Sequence, residues 1–218
     1  TVVKDKIFDF IKDVNPDIGC FQEYYHQDGS SLFSTKDSLL SLPGVVDYNE
    51  FFFENKRQHQ KYGVFMYSKY PIIESGNIAF EEGRNSFNYC IYSDIVVKQD
   101  TLRIYNTHLQ SIKIQPGDYA FFEEEPDISK NDKSNSKRLI NTITQAFPIR
   151  ANQAKAITAH IRNSPYPVIV CGDFNDTPMS YSYNLFNAQL TDAFRNCRYG
   201  IGKTFAGSIP AGRIDYIF

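Results

Sequence analysis

The sequence lacks any excess of charge of one sign and any long hydrophobic run. Its 23 Lys and Arg stand against 25 Asp and Glu, which gives a net charge of −2. That balance provides no overall attraction to nucleic acid or to an anionic membrane, so any site for a polyanion must be local. No apolar run approaches the ~18 residues needed to cross a bilayer, and no signal peptide opens the chain. We therefore expect a soluble domain, of a compartment that the sequence does not identify.

The four cysteines lack the spacing of a disulfide framework or of a zinc site. The four are Cys20, Cys90, Cys171 and Cys197. They include no Cys-x-x-Cys pair, and three of the four lie in apolar runs typical of strands. We therefore predict buried free thiols.

The composition is typical of one folded domain. Of the 218 residues, 42% are hydrophobic and 15% aromatic, which is enough apolar material for one sizeable core. The chain shows neither an internal repeat nor an interdomain linker. We predict a single domain over residues 1–218 and expect it to be a monomer.

Hydrophobic periodicity predicts both helices and strands. The predicted helices cover residues 3–14, 137–147 and 150–163, and Arg150 and Gln153 are expected to pack or cap the last of them. The predicted strands cover 18–21, 48–53, 63–67, 91–98, 102–107 and 168–171. Residues 111–137 are polar and predict a loop or an irregular insertion. Strands that are separated by helices but also joined as hairpins indicate a mixed α/β architecture of two sheets with helices outside.

Three of the predicted strands end in clustered acids and amides. These ends are Gln-Glu at 22–23, Asn-Thr-His-Leu at 106–109 and Gly-Asp-Phe-Asn at 172–175. Residues that follow a strand point into the crevice above the sheet. Their oxygen ligands suit Mg²⁺ or Mn²⁺ better than zinc or copper. A single carboxylate after a strand is more often a cap or a turn residue, so the prediction depends on the whole set.

These motifs, together with residues 63–71 and the Arg-Ile-Asp-Tyr at 213–216, occur in an order that spans nearly the whole chain. The combination resembles the endonuclease/exonuclease/phosphatase superfamily. That superfamily includes pancreatic-type deoxyribonucleases, abasic-site endonucleases, neutral sphingomyelinases and inositol polyphosphate phosphatases. The resemblance implies an α/β four-layer sandwich, in which two mostly antiparallel β-sheets pack face to face with helices on the outside.

The resemblance also implies roles for the first two motifs. Glu23 is similar to the glutamate that holds Mg²⁺, with Mn²⁺ as an alternative ion, and Gln22 would brace it. His108 is similar to the histidine that donates to a phosphate oxygen whose charge grows in the transition state. The alternative for His108 is a strand histidine with satisfied hydrogen bonds.

The last two motifs carry three further candidates. Asp173 and Asn175 resemble the pair that positions and polarises the attacking water, and Asn175 would also contact substrate. Without the resemblance, Asp173 would be interpreted as a turn residue. Asp215 is similar to the aspartate that orients a late catalytic histidine. Its alternative is a buried acid paired with Arg213.

Two residues of the family pattern are not found in the sequence. The family brings an asparagine to the metal site from its first strand, and none of the four histidines follows the Arg-Ile-Asp-Tyr motif: His26, His59, His108 and His160. We therefore expect a domain that lacks its first strand and its C-terminal segment, and close to no activity from these 218 residues alone.

The resemblance implies hydrolysis of a phosphate ester by a Mg²⁺-activated water, and three functions stay open. A nuclease comes first, because His108 within Asn-Thr-His-Leu suits phosphodiesterases. A phosphatase or phosphodiesterase of inositol phosphates or phospholipids comes second, and the missing basic surface favours it. A binding module that has lost catalysis comes third.

Overall fold

The chain folds into two compact units. The computed structural model describes residues 2–30, 32–80, 88–112, 133–200, 202–206 and 212–218. Unit 1 comprises residues 1–108 and 163–172, and unit 2 comprises residues 109–162 and 173–218.

Most of the strands belong to unit 1, and unit 2 is mainly helical. Unit 1 begins with α1 (Val2–Val14), β1 (Ile18–Gln27), α2 (Thr35–Leu40), β2 (Asp47–Asn55) and β3 (Gln60–Ser68), and continues with β4 (Ile72–Ile78), β5 (Tyr89–Val97) and β6 (Asp100–His108). It also holds most of β7 (Val168–Asp173). Unit 2 contains α3 (Lys133–Arg162), α4 (Tyr181–Asn187), α5 (Ala193–Cys197) and β8 (Asp215–Ile217).

The strands form two sheets, as predicted. The first has the order β1-β3-β2 and the second the order β4-β5-β6-β7-β8. Both pairs of the first sheet, and the β4–β5 and β5–β6 pairs of the second, are antiparallel. The β6–β7 pair runs parallel. The amide of Arg103 donates to the carbonyl of Pro167, and the amide of Leu109 donates to the carbonyl of Asp173, so the residue numbers rise in the same direction along both strands.

Two clusters of buried apolar side chains hold the layers of unit 1 together. One lies between the sheets and joins β3 to β5 and β6: Val64, Met66, Ile91, Ile95 and Ile104. The other covers the opposite face of β1 and β3 with α1 and α2: Ile11, Tyr24, Leu39, Leu42, Phe65 and Tyr67. Alternate residues of β3 serve the two clusters, as the two-residue period of a strand requires. Each such buried side chain stabilises the fold by about 1.5–3 kcal/mol. The predicted two-sheet α/β sandwich is confirmed.

Helix α3 corrects the prediction of two separate helices. It runs unbroken from Lys133 to Arg162 with Pro148 inside, whereas the sequence predicted a break between residues 147 and 150. A proline inside a helix costs about 3 kcal/mol. Ala146 and Arg150 are both buried, so packing on either side of Pro148 offsets that cost. Residues 113–132 of the predicted insertion lie outside the described residues. No described helix is both long enough and apolar enough to span a membrane.

The cysteines are free thiols, as predicted, but they are not all buried. Cys90 is buried, Cys20 and Cys171 are half-buried, and Cys197 is exposed. Cys197 ends the short helix α5, and its predicted burial is wrong. The prediction holds fully for Cys90 and only in part for Cys20 and Cys171.

Candidate active site

Glu23 lies on a bulge in the middle of β1. The pairing of β1 with β3 is regular up to Phe21 and again from Tyr24, so Gln22 and Glu23 stand opposite the single residue Val64. Two residues facing one define a β-bulge, which bends the strand and re-aims a side chain. The backbone of Glu23 is left-handed, with φ of 51°, which is uncommon for a residue other than glycine. Its side chain is exposed.

A buried asparagine of β6 holds this bulge in place. The amide of Gln22 donates to Oδ1 of Asn106 at 2.6 Å. Nδ2 of Asn106 donates in turn to the carbonyls of Phe21 and Phe65, at 3.1 and 2.9 Å. The asparagine of Asn-Thr-His-Leu therefore links the two sheets. The sequence indicated no role for Asn106, and it predicted that Gln22 would brace Glu23.

His108 ends β6, where a glycine brings β7 close. The side chain of His108 is 5% exposed, and its backbone pairs with Tyr89 of β5. A Cβ atom added to Gly172 would lie 2.0 Å from the carbonyl oxygen of Thr107. Only glycine permits so close an approach of two backbones. The glycine of Gly-Asp-Phe-Asn therefore allows β7 to lie directly against the end of β6.

Asp173 and Asn175 form one hydrogen-bonded turn. Oδ1 of Asp173 accepts from the backbone amide of Asn175 at 2.7 Å, the pattern by which aspartate stabilises turns. Asn175 has a left-handed backbone, with φ of 50°, and its Nδ2 donates to the carbonyl of Leu109 at 3.0 Å. The carbonyl of Asp173 accepts from the amide of Leu109 at 2.9 Å. This turn thus fixes the direction of the Asp173 carboxylate.

Asp215 lies at the start of β8 and is not the partner of Arg213. Its backbone amide donates to Oγ1 of Thr204 at 3.1 Å. Arg213 donates instead to both carboxylate oxygens of Asp192, at 2.8 and 2.6 Å. Burial alone would raise the pKa of Asp192, but hydrogen bonds from Arg213 and Tyr183 hold that pKa at about 2. The alternative interpretation of Asp215, as the acid paired with Arg213, is wrong.

Arg150 reaches the residues around the Asp173 turn from α3. Its side chain is fully buried; Nε donates to Oδ2 of Asp176 at 3.0 Å, and Nη1 donates to the carbonyl of Gln110 at 3.1 Å. The sequence predicted that Arg150 would pack or cap the start of a helix. It lies in the interior of α3 because that helix begins at Lys133.

The predicted site residues are divided between the two units. Glu23 and His108 belong to unit 1, whereas Asp173, Asn175 and Asp215 belong to unit 2. Within unit 2, Asp173 and Asn175 share one turn. Their convergence with the residues of unit 1 stays a prediction.

The donors present are suited to a magnesium ion. Among the described residues, no group of three or more His, Cys, Asp or Glu side chains is arranged to hold a metal. Mg²⁺ often keeps several waters and is bound by only one or two protein carboxylates together with substrate phosphate. The exposed carboxylate of Glu23 fits that manner of binding, which does not require a cage of protein ligands.

Comparison with protein families gives a match that covers almost the whole chain. The model of the Endonuclease/Exonuclease/phosphatase family matches residues 2–218. The comparison with curated protein sequences found no match.

Solved structures of the same fold cover nearly all of this chain. An endonuclease/exonuclease/phosphatase from Bacteroides vulgatus is similar, with a TM-score of 0.67 and 20% identity over 98% of this chain and 77% of that one. The human Nocturnin catalytic domain with bound sulfate has a TM-score of 0.62 and 20% identity, over 98% and 73%. A mannosyl-6-phosphatase of Bacteroides thetaiotaomicron has a TM-score of 0.61 and 18% identity, over 97% and 73%. At these identities the likeness establishes the fold.

Proposed function

Because the chain belongs to the Endonuclease/Exonuclease/phosphatase family, we propose that it is a metal-dependent hydrolase of phosphodiester bonds with nucleic acid as substrate. The observation that carries the proposal is the turn of Asp173 and Asn175. One oxygen of the Asp173 carboxylate is held by a backbone amide at 2.7 Å, so the carboxylate is oriented before any substrate arrives. Preorganised polar groups of this kind accelerate reactions because they need no reorganisation in the transition state.

Each residue has one role in the proposed reaction. Asp173 takes a proton from the attacking water, whose oxygen forms a bond to phosphorus as the bond to the leaving oxygen breaks. Asn175 contacts that water or a phosphate oxygen. His108 donates to a second phosphate oxygen as its negative charge grows. A Mg²⁺ ion held by Glu23 would supply positive charge for the phosphate oxygens.

Asp215 is the remaining candidate, and its role is orientation. It would accept a hydrogen bond from the ring of a late catalytic histidine, which fixes the tautomer of that ring. Arg213 supports this proposal because it is already neutralised by Asp192. The Asp215 carboxylate is therefore not needed as a counter-ion for its neighbour in the motif.

A second candidate function is hydrolysis of inositol phosphates or phospholipids. The net charge of −2 favours it, because enzymes that bind long nucleic acids usually present a basic surface. A nuclease would need a local basic patch.

A substrate panel tests the proposed function in the complete protein. Plasmid DNA, RNA, a phospholipid and an inositol phosphate are each incubated with Mg²⁺ and, in parallel, with excess chelator. We expect Mg²⁺-dependent cleavage of nucleic acid. Cleavage of the lipid or the inositol phosphate alone would select the second candidate, and release of product in excess chelator would contradict metal dependence.

A further inference from the structure

Two side chains of α3 form hydrogen bonds to the backbone of a single residue, Gln110. Oε1 of Gln153 accepts from the amide of Gln110 at 2.9 Å. Nη1 of Arg150 donates to the carbonyl of the same residue at 3.1 Å. Both side chains are almost fully buried, and three positions apart on a helix they share one face. The position of Gln110 is thus set by α3.

The residue before Gln110 carries the turn that holds Asp173. The amide of Leu109 donates to the carbonyl of Asp173 at 2.9 Å, and the carbonyl of Leu109 accepts from Nδ2 of Asn175 at 3.0 Å. A shift of Gln110 would therefore move both groups of Leu109 to which the turn is bound.

Arg150 fixes the same turn from its other end. Its Nε donates to Oδ2 of Asp176 at 3.0 Å, one residue after Asn175. Burial lowers the pKa of Arg150, and the negative charges of Asp176 and Asp173 offset part of that effect. A buried guanidinium of this kind needs its carboxylate partners, so Arg150 and Asp176 are expected to move as one group.

We propose that Arg150 and Gln153 are positioning residues that hold the turn of Asp173 and Asn175 against the backbone of Leu109 and Gln110. The inference rests on the proposed function. Arg150 is 0% exposed, so it acts through Gln110 and Asp176 and not by contact with substrate.

Substitutions at Gln153 provide the first test. Gln153→Leu removes the acceptor for the Gln110 amide, whereas Gln153→Glu keeps an acceptor oxygen in either protonation state. Misplacement of a reacting group by about 1 Å can cost on the order of 10²-fold in rate. We therefore expect kcat per folded molecule to fall about 10- to 100-fold in Gln153→Leu. Gln153→Glu should recover most of it.

Other measurements separate positioning from a role in stability alone. KM and the half-saturating Mg²⁺ concentration should change little, because neither residue contacts substrate or metal. Gln145→Leu, the same substitution at an exposed position of α3, is the matched control and should leave kcat unchanged. If the folded Gln153→Leu protein has wild-type kcat, the proposal is wrong.

A double variant tests the role of Arg150 even if the single substitution prevents folding. Arg150→Met alone leaves the carboxylate of Asp176 buried without its partner, whereas Arg150→Met with Asp176→Leu replaces the whole ion pair with apolar side chains. We expect the double variant to fold and to show the same selective loss of kcat. Wild-type kcat in the folded double variant would exclude Arg150 from the proposal.

Amide hydrogen exchange tests the inference independently of activity. The amides of Leu109 and Asn175 both donate to Asp173, so their exchange should become faster in Gln153→Leu and stay unchanged in Gln145→Leu. Unchanged exchange at both amides would overturn the positioning role, even if no substrate of the protein is cleaved. If Asp173→Asn keeps full activity while exchange accelerates as expected, the proposed function fails and the positioning role stands.

Discussion

Asp173 shows how one side chain can serve both the fold and the proposed chemistry. A carboxylate offers about four acceptor sites on its two oxygens, and the amide of Asn175 occupies one of them at 2.7 Å. The interpretation as a turn residue and the interpretation as a catalytic base are therefore compatible. The sequence presented them as alternatives because a turn and a strand-end site use the same residue types.

At the residue scale, the proposed base and the proposed phosphate donor should affect rate and leave folding intact. In the complete protein, Asp173→Asn and His108→Ala should each lower kcat at saturating Mg²⁺ by ~10²–10⁴, the usual cost of a lost positioned acid or base. Steady-state kinetics, with circular dichroism as a check on folding, measures both effects. A variant that keeps more than about half of wild-type turnover removes that residue from the mechanism.

Glu23 should determine metal affinity. Glu23→Gln removes the charge of an exposed carboxylate on the bulge of β1, so the Mg²⁺ concentration for half-maximal activity should rise while Tm stays nearly constant. Glu74→Gln, at an exposed position of β4, is the control and should change neither quantity. An unaltered Mg²⁺ titration in Glu23→Gln would exclude the ligand role.

At the scale of elements, one buried ion pair joins α5 to the segment that leads into β8. Asp192 caps α5 by accepting from the amides of Phe194 and Arg195, and it also accepts from Arg213. The guanidinium of Arg213 lies over the rings of Phe194 and Tyr216 at 4.8 and 4.7 Å. This arrangement fixes the start of the motif that contains Asp215.

The pair makes the fold sensitive to acid. The pKa of Asp192 is lowered from 3.8 to about 2, so its contribution is complete above pH 4 and is lost as the pH falls through 2. That contribution is about 2 kcal/mol. Urea unfolding should show Asp192→Asn less stable than wild type above pH 4, with the difference narrowing towards pH 2. The exposed Asp100→Asn should show no such convergence, and a pH-independent difference for Asp192→Asn would contradict the prediction.

The sequence located the elements better than it located their ends. Period-two alternation placed both ends of β5 and of β6 to within two residues. It ended β1 at residue 21, six residues early, since the bulge interrupts the alternation there. It also divided α3 at Pro148, because the packing that offsets a proline lies elsewhere in the chain.

The sequence predicted those residues of the candidate site that lie in short motifs, but not the distant partners that hold them. Residues in short motifs, such as Asp173 and Asn175, were identified directly. The roles of Asn106, Arg150 and Asp176 depend on partners 26 to 85 positions away, and no local pattern indicates such pairings. The Arg213 motif was recognised, but its partner Asp192 was not, because an aspartate before a short helix has no distinguishing spacing.

At the scale of the whole molecule, the proposed mechanism predicts that Glu23, His108 and Asp173 act on one phosphate group beside one metal ion. Iron-mediated cleavage tests this directly: Fe²⁺ takes the place of Mg²⁺, and ascorbate with peroxide produces radicals that cut the nearest backbone. We expect cuts near residues 22–24, 106–110 and 172–176, mapped by mass spectrometry. Excess Mg²⁺ and Glu23→Gln should both suppress them. Cuts confined to one of the three segments would show that they do not share a metal site.

The bulge of β1 also predicts that this strand can lose one residue without losing its packing. Phe21 and Tyr24 both pack into the cluster beneath α1 and α2, although residues three apart in a regular strand face opposite sides. Deletion of Glu23 would leave Gln22 alone opposite Val64 and keep both aromatic rings on their present side. A deletion inside a strand normally turns every later side chain to the wrong face. Here the shortened protein should fold, with a Tm near that of wild type, and should lose its response to Mg²⁺. Glu23 would then be an insertion that the sheet accommodates but does not need.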